Sequence, residues 1–202
     1  MLFVDSEPAH REMLEVCDSG LTFQSGDKAG QSIGQAGLWT RADLPAGALL
    51  GFYTGRETDA PDKYSVSISE DFVSMTPCEE GSDQPDFLRH PLAAINEPAE
   101  GEMANVFARS ELHELTGPSE LGVVIPFYTA TTISANTELT WHYGDSYAAH
   151  RKGYVPGTPA APLPVPKVTP DIIETLLSHR PDAIHRLPPE PSEGEESDGE
   201  WR

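Results

Sequence analysis

The sequence predicts a mostly-β domain followed by a proline-rich segment and an acidic tail. Residues 21–147 consist of short strand-like pieces separated by Gly, Pro, Asn and Asp, and helical periodicity is scarce there. The 202 residues suffice for one ordinary domain of about 100–200 residues and a tail. The predicted organisation is an N-terminal segment (1–20), the domain (21–150), a Pro-rich linker (151–170), a short helix (171–181) and a disordered acidic tail (182–202).

Residues 63–69 give the clearest signal for a half-buried strand. Apolar and small polar residues alternate along it, which places Tyr64, Val66 and Ile68 on one face. Residues 48–53 are more continuously apolar, as is typical of a strand covered on both faces.

A second apolar run, residues 122–128, contains Pro126, which indicates an edge position or a bulge. After a turn, residues 138–144 follow as another strand-like run. Together the two runs predict a β-hairpin with Tyr143 at its tip. Asn136 lies in the turn, and asparagine tolerates the left-handed conformation better than most residues.

The C-terminal part has a different texture. Six prolines between residues 156 and 170 favour an extended, semi-rigid spacer over a packed element. Pro170 and Asp171 then open a short amphipathic helix, which Pro181 ends. Residues 187–202 carry six acids against one base and almost nothing apolar, which is typical of disorder.

The chain is strongly acidic, with 13 Lys and Arg against 33 Asp and Glu and a formal net charge of −20. This balance argues against direct nucleic-acid binding, which normally needs clustered Lys and Arg. A cationic partner such as a lysine-rich protein tail fits better. A role of the charge in solubility alone is equally open.

Cysteine and histidine usage favours an intracellular protein without a metal. Cys17 and Cys78 have neither the density of a disulfide framework nor the spacing of a zinc site, and the seven histidines lack metal-ligand spacing. The apolar start, residues 1–4, is ended at once by Asp5, so we expect neither a signal peptide nor a membrane span. The expected location is intracellular, and the sequence does not decide between nucleus and cytoplasm.

Four segments follow one another in a fixed order: Gly37-Leu38-Trp39, residues 49–55, residues 93–98 and residues 136–144. In this order and spacing they resemble the motifs of the SET-domain family of protein lysine methyltransferases. The resemblance covers about residues 20–147. It implies a SET-type fold of several small sheets with a pseudoknot-like threaded loop. It also implies transfer of a methyl group from S-adenosylmethionine (SAM) to a lysine of a histone or another lysine-rich protein tail.

The resemblance assigns Tyr143 to orienting the lysine amine and Tyr53 to lining the lysine channel. Methyl transfer to an amine requires in-line approach and a dry channel, and a tyrosine hydroxyl can orient the amine there. Phe107 and Tyr128 are further candidates for the walls of the substrate channel. Each of the four also has an ordinary interpretation as a core aromatic residue.

Around the cofactor the resemblance places Gly37, Leu38, Trp39, Asn96, Glu97 and Trp141. A glycine allows close approach of the backbone, and an asparagine amide can both donate and accept hydrogen bonds. Three positions depart from the family pattern: Gln35 stands where a glycine is expected, Ala93 replaces an arginine and Glu97 replaces a histidine.

These departures leave two other interpretations open. One is a non-catalytic binding module with a SET fold, and the other is an unrelated acidic β-rich protein whose partner docks on the Pro-rich segment or the tail. We further expect Asn105 to brace the fold. The Pro-rich segment and the following helix are expected to pack back over the site, in place of the family's zinc-binding cysteine-rich segment.

Overall fold

The computed structural model describes residues 13–21, 34–53, 55–58, 60–67, 74–109, 111–114, 121–144, 157–165 and 185–186. Within these ranges the chain forms twelve short strands and a 3-10 helix at Pro91–Ala94. No helix in them is long and apolar enough to cross a membrane. The strands are β1 (Leu14–Asp18), β2 (Ala36–Thr40), β3 (Leu49–Phe52), β4 (Arg56–Thr58), β5 (Val66–Ser67), β6 (Ser74–Thr76), β7 (Val106–Ala108), β8 (Glu111–Glu114), β9 (Leu121–Val124), β10 (Pro126–Thr129), β11 (Thr137–Glu138) and β12 (His185–Arg186).

The strands assemble into four antiparallel sheets of three strands each. Their orders are β1-β2-β11, β3-β10-β7, β4-β6-β5 and β8-β9-β12. The predicted mostly-β class with several small sheets is therefore confirmed.

The predicted hairpin of residues 123–128 and 138–144 is wrong. The first run divides at Ile125 into β9 and β10, which belong to different sheets, and β10 pairs with β3 and β7 instead of β11. Because β3 and β7 occupy both edges of β10, β11 has no edge to pair with there and joins β2 instead.

The predicted strand at 63–69 is also shorter than expected. Of its described residues 63–67, only Val66–Ser67 are strand, as β5, and residues 63–64 form a turn. The cause is Asp62, whose Oδ1 accepts hydrogen bonds from the Tyr64 N–H (2.8 Å) and the Ser65 hydroxyl (3.1 Å), a side-chain turn that competes with a strand. Ile68 lies outside the described residues.

A segment after β11 passes between two other stretches of the chain and is bonded to both. The Trp141 N–H donates to the Asn96 carbonyl (2.8 Å), and the Val106 N–H donates to the Thr140 carbonyl (3.0 Å). Parallel bridges join Thr140 to Asn96 and Trp141 to Val106. Residues 140–141 are thus enclosed between the two stretches, which is the arrangement expected of a threaded loop.

Asn105 braces this arrangement, as predicted. Its amide nitrogen donates to the Glu138 carbonyl, and its amide oxygen accepts from the Thr140 N–H, both at 2.8 Å. Asn136 adopts the predicted left-handed conformation, with φ of 59°.

The described residues include two clusters of buried side chains. The larger is centred on side chains that are fully buried, among them Leu38, Met75, Val106, Phe127 and Leu139. The smaller contains Phe107, Tyr128 and Ala130 and is covered by Leu49 and by Ala160, Leu163 and Val165 of the Pro-rich segment.

The described part of the Pro-rich segment, residues 157–165, is packed and does not behave as a free spacer. The Gly157 N–H donates to the Pro98 carbonyl (3.0 Å), and Thr158 exchanges backbone hydrogen bonds with residues 102 and 104. The predicted helix at 171–181 lies outside the described residues.

Two further segments extend the sheets beyond the predicted domain. β1 lies within the predicted N-terminal segment and pairs with β2, and β12 lies within the predicted tail and pairs with β9.

Candidate active site

Three of the sequence-predicted residues, Tyr53, Tyr143 and Trp141, line one cavity of about 480 Å³. They come from different parts of the chain and meet because the segment after β11 passes beside Ile95–Glu97. The cavity also has a polar rim that the motifs did not indicate, formed by Asp62, Lys63, Ser65, Ser67, Ser74 and Arg109.

Tyr143 is fixed at three points. Its hydroxyl donates to the Ile95 carbonyl (2.5 Å), its N–H donates to Glu97 Oε1 (3.2 Å), and its ring lies 5.4 Å from that of Trp141. Trp141 in turn packs edge-on against Phe127 at 4.8 Å. The phenol therefore has a defined position at the cavity wall.

Tyr53 is 4% exposed, and its ring stacks on Phe127 at 5.7 Å. Its hydroxyl donates to the Tyr64 carbonyl. Burial, with a smaller contribution from nearby Tyr143, raises the pKa of Tyr53 well above its ordinary value. The group is a neutral phenol at neutral pH, so it serves as a hydrogen-bonding wall and does not act as a base.

Asp62 supplies a negative charge at the cavity. Burial raises the pKa of its carboxyl, but hydrogen bonds from Thr76, the Tyr64 N–H and Ser65 outweigh this effect, so the net pKa is lowered. The carboxylate is ionised at neutral pH. In the sequence, the only signal for this position is the turn-forming pair Pro61-Asp62.

Arg109 connects the cavity to the Pro-rich segment. Its guanidinium carbon lies 5.3 Å from the centre of the Tyr128 ring, and its Nη1 donates to the Val165 carbonyl (3.5 Å). Sequence reasoning missed this residue because it belongs to no motif.

Phe107 and Tyr128, the predicted substrate-channel walls, do not line this cavity. Their rings stack on each other at 5.5 Å in the smaller core cluster, under the Pro-rich segment. Phe107 on β7 and Tyr128 on β10 are both buried, and they face each other because the two strands pair directly at these residues.

Gly37 has a structural explanation of its own. A Cβ at this position would lie 2.4 Å from Glu138 Oε1, so the glycine leaves room for that carboxylate. The carboxylate accepts hydrogen bonds from Ser19 Oγ (2.6 Å), the Gly20 N–H (2.8 Å) and Asn96 Nδ2 (3.1 Å). We call Ser19, Gly37, Asn96 and Glu138 the Glu138 cluster.

Asn96 uses its amide inside the protein. Besides Glu138, its Nδ2 donates to the Ala36 carbonyl (2.9 Å), and its Oδ1 accepts from Gln35 Nε2. Leu38 is 0% exposed and is a core residue. The side chains of these two predicted cofactor residues are thus engaged within the protein, and neither residue lines the cavity.

Two tryptophans fit a bound cofactor better. The Trp39 indole N–H is buried, and no described group accepts a hydrogen bond from it. A buried donor without an acceptor is rare and is readily explained by a ligand. Trp141 lines the cavity and offers an aromatic face. Trp39 and Trp141 therefore each offer a group that a cofactor such as SAM can contact, a buried indole N–H and an aromatic face, although Trp39 is not among the residues that line this cavity.

No family model and no curated protein sequence matches the chain. Among solved structures, one similar to the chain is KRYPTONITE in complex with mCHH DNA, an H3 peptide and SAH, at 22% identity and a TM-score of 0.42 over 65% of this chain. The alignment spans only 23% of the KRYPTONITE chain. A second is a Plasmodium falciparum protein assigned as a histone methyltransferase, at 12% identity and a TM-score of 0.41, covering 67% of this chain and 96% of that one.

Proposed function

We propose that this protein is a SAM-dependent protein lysine methyltransferase of the SET type. The observation that carries the proposal is the convergence on one cavity of residues from two sequence motifs, Tyr53 from residues 49–55 and Trp141 and Tyr143 from residues 136–144. A wall of two phenols and an indole suits a lysine side chain, whose amine must approach a methyl donor in a partly dry space.

Tyr143 is the residue that orients the amine. Because its hydroxyl proton is committed to the Ile95 carbonyl, its oxygen accepts a hydrogen bond from the incoming amine. This leaves a nitrogen lone pair directed away from the phenol, as in-line transfer requires. Tyr53 meets the second requirement, a dry channel. Its buried phenol stays neutral and excludes water from the part of the wall that it occupies.

The charged side chains at the cavity are one carboxylate, Asp62, and two cations, Lys63 and Arg109. Within this mixed lining the Asp62 carboxylate attracts a lysine ammonium, and the aromatic faces of Trp141 and Tyr143 stabilise positive charge close to them. When bound, SAM supplies the activated methyl group. Trp39 and Trp141 are the residues that would hold it, with Asn96 and Glu97 shaping the adjoining backbone.

The test is methyl transfer to an array of lysine-containing peptides, detected by mass spectrometry. We expect a mass gain of one or more methyl groups on lysine for the unmodified protein. Tyr143→Phe should lower the rate by about a hundredfold or more, because an orienting hydroxyl in the transition state is lost, while the melting temperature changes little. An exposed acid outside the cavity lining, Glu100, provides the control Glu100→Gln, which should be fully active. Activity of Tyr143→Phe equal to that of the unmodified protein would contradict the assignment.

A non-catalytic binding module with the same fold is the second candidate. It is favoured by one observation: the side chains of Gln35, Asn96 and Glu138 hydrogen-bond to one another in series, so that the Asn96 amide is engaged within the protein. This candidate predicts binding of a lysine-containing peptide to the cavity without turnover and without affinity for SAM.

The proposed partner is a lysine-containing protein tail, from a histone or another lysine-rich protein. The absence of direct nucleic-acid binding stays a prediction from the charge of the chain.

A further inference from the structure

We propose that Glu97 is a positioning residue for Tyr143. Its buried carboxyl group takes the place of a missing backbone acceptor for the Tyr143 N–H and so fixes the phenol at the cavity. This inference rests on the proposed function for its catalytic consequence. The sequence resemblance assigned Glu97 to the cofactor, whereas its carboxylate points to the backbone of Tyr143.

The ladder between Ile95–Pro98 and residues 140–143 begins regularly. A parallel bridge joins Asn96 to Thr140, and the Trp141 N–H donates to the Asn96 carbonyl at 2.8 Å. In a parallel ladder the next N–H on the same side, that of Tyr143, would donate to the carbonyl two residues further along the partner, that of Pro98.

Pro98 interrupts this ladder in two ways. It has no N–H to donate back, and its carbonyl accepts a hydrogen bond from Gly157 of the Pro-rich segment at 3.0 Å. The Tyr143 N–H therefore bonds to Glu97 Oε1 at 3.2 Å. The side chain of Glu97 takes over the role of the backbone acceptor.

The surroundings keep this carboxylate in place. Glu97 is 2% exposed, and Pro98 is fully buried behind it. Gly157 packs so closely there that a Cβ would lie 2.6 Å from the Ala99 carbonyl oxygen and 2.8 Å from Pro98 Cγ. A buried acceptor in a closely packed region can fix its donor with little freedom. The hydrogen bond to Glu97 anchors Tyr143 at its backbone, and the hydrogen bond from the Tyr143 hydroxyl to the Ile95 carbonyl anchors it at its tip.

The test compares Glu97→Gln, which keeps an acceptor oxygen, with Glu97→Leu, which keeps the approximate size and removes it. Glu100→Leu is the matched control, since Glu100 is an exposed acid three residues away. Amide hydrogen exchange at Tyr143, measured by NMR, reports the hydrogen bond without reference to activity. Steady-state kinetics with a lysine peptide and SAM report its consequence.

We expect slow exchange at Tyr143 in the unmodified protein and in Glu97→Gln, and exchange about tenfold faster or more in Glu97→Leu, which corresponds to one lost hydrogen bond. In Glu97→Leu, kcat should fall about tenfold with KM for the peptide nearly unchanged, because the displaced hydroxyl acts on the reacting amine. Glu97→Gln should restore kcat to within about twofold, and Glu100→Leu should match the unmodified protein.

Equal losses in Glu97→Gln and Glu97→Leu would overturn the proposal, as would unchanged exchange at Tyr143 in Glu97→Leu. If Glu97→Leu does not fold, fast exchange at Tyr143 in the unmodified protein or in Glu97→Gln overturns it, and slow exchange in both supports it. An unmodified protein without methyl transfer but with the expected exchange pattern would refute the proposed function and leave Glu97 as the residue that places Tyr143.

Discussion

The Glu138 cluster predicts a non-additive effect between Gly37 and Glu138. In Gly37→Ala the new Cβ would lie 2.4 Å from Glu138 Oε1, so the carboxylate must move. Moving Oε1 breaks its hydrogen bonds with Ser19 Oγ and Asn96 Nδ2. At about 1 kcal/mol for each hydrogen bond, the substitution should lower the free energy of unfolding by about 2 kcal/mol.

Glu138→Ala removes these two hydrogen bonds and the one from the Gly20 N–H, and should therefore cost about 3 kcal/mol. In the double variant the Cβ introduced at position 37 meets no carboxylate, so its cost largely disappears. The double variant should be about as stable as Glu138→Ala, which gives a coupling energy of about 2 kcal/mol.

Urea unfolding followed by tryptophan fluorescence measures all four free energies. The control pairs Gly37→Ala with Glu100→Ala, an exposed acid for which additivity is expected. A double variant that loses the full sum of about 5 kcal/mol would refute the reasoning, because the Cβ and the carboxylate would then not compete for one space.

Three further predictions follow from single positions. The stability difference between the unmodified protein and Asp62→Ala should be largest at neutral pH and should shrink below pH about 4, because a carboxyl with a lowered folded-state pKa loses its stabilising effect as pH falls through that pKa. Thermal unfolding from pH 7 to about pH 2.5 measures this difference, and a pH-independent difference would contradict the prediction. Gly157→Ala should lower the free energy of unfolding by about 2–4 kcal/mol in urea, since the Cβ would lie 2.4 Å from the Glu102 carbonyl oxygen and backbone atoms cannot easily move away. A decrease of less than about 0.5 kcal/mol would contradict this contact. At Asn136, whose φ is 59°, substitution by Val should lower the melting temperature clearly more than substitution by Gly, and equal effects would exclude strain as the cause.

The sequence was informative where function depends on residue type in a motif. Tyr53, Tyr143 and Trp141 were selected from motifs alone, and the structure places them around one cavity. The left-handed turn at Asn136 was also predictable, because few residue types tolerate that conformation.

Strand pairing was harder to predict, because it depends on partners distant in sequence. The apolar run at 122–128 is compatible with a hairpin, but β3 and β7 compete for the same edges of β10, and no local pattern shows this. Phe107 and Tyr128 lie outside the lining of the cavity and under the Pro-rich segment, a packing partner that no local pattern around either residue identifies. Their assignment to the substrate channel stays a prediction.

The roles of Glu97 and Gly37 also required the structure. Their positions within motifs suggested contact with a cofactor, whereas the structure shows Glu97 Oε1 accepting a hydrogen bond from the Tyr143 N–H and the Glu138 carboxylate beside Gly37. A motif fixes which residue is present, but the direction of its side chain depends on packing.

The most direct test of the central claim is an NMR titration of the protein with SAM that follows the indole N–H signals of its three tryptophans, Trp39, Trp141 and Trp201. Our account predicts saturable shifts of the Trp39 and Trp141 signals with a micromolar dissociation constant, about −8 kcal/mol, because Trp39 has a buried donor without a described acceptor and Trp141 lines the cavity. The Trp201 signal near the C terminus should not move. Absence of any shift at Trp39 and Trp141 up to millimolar SAM would contradict the methyltransferase and favour a non-catalytic binding module.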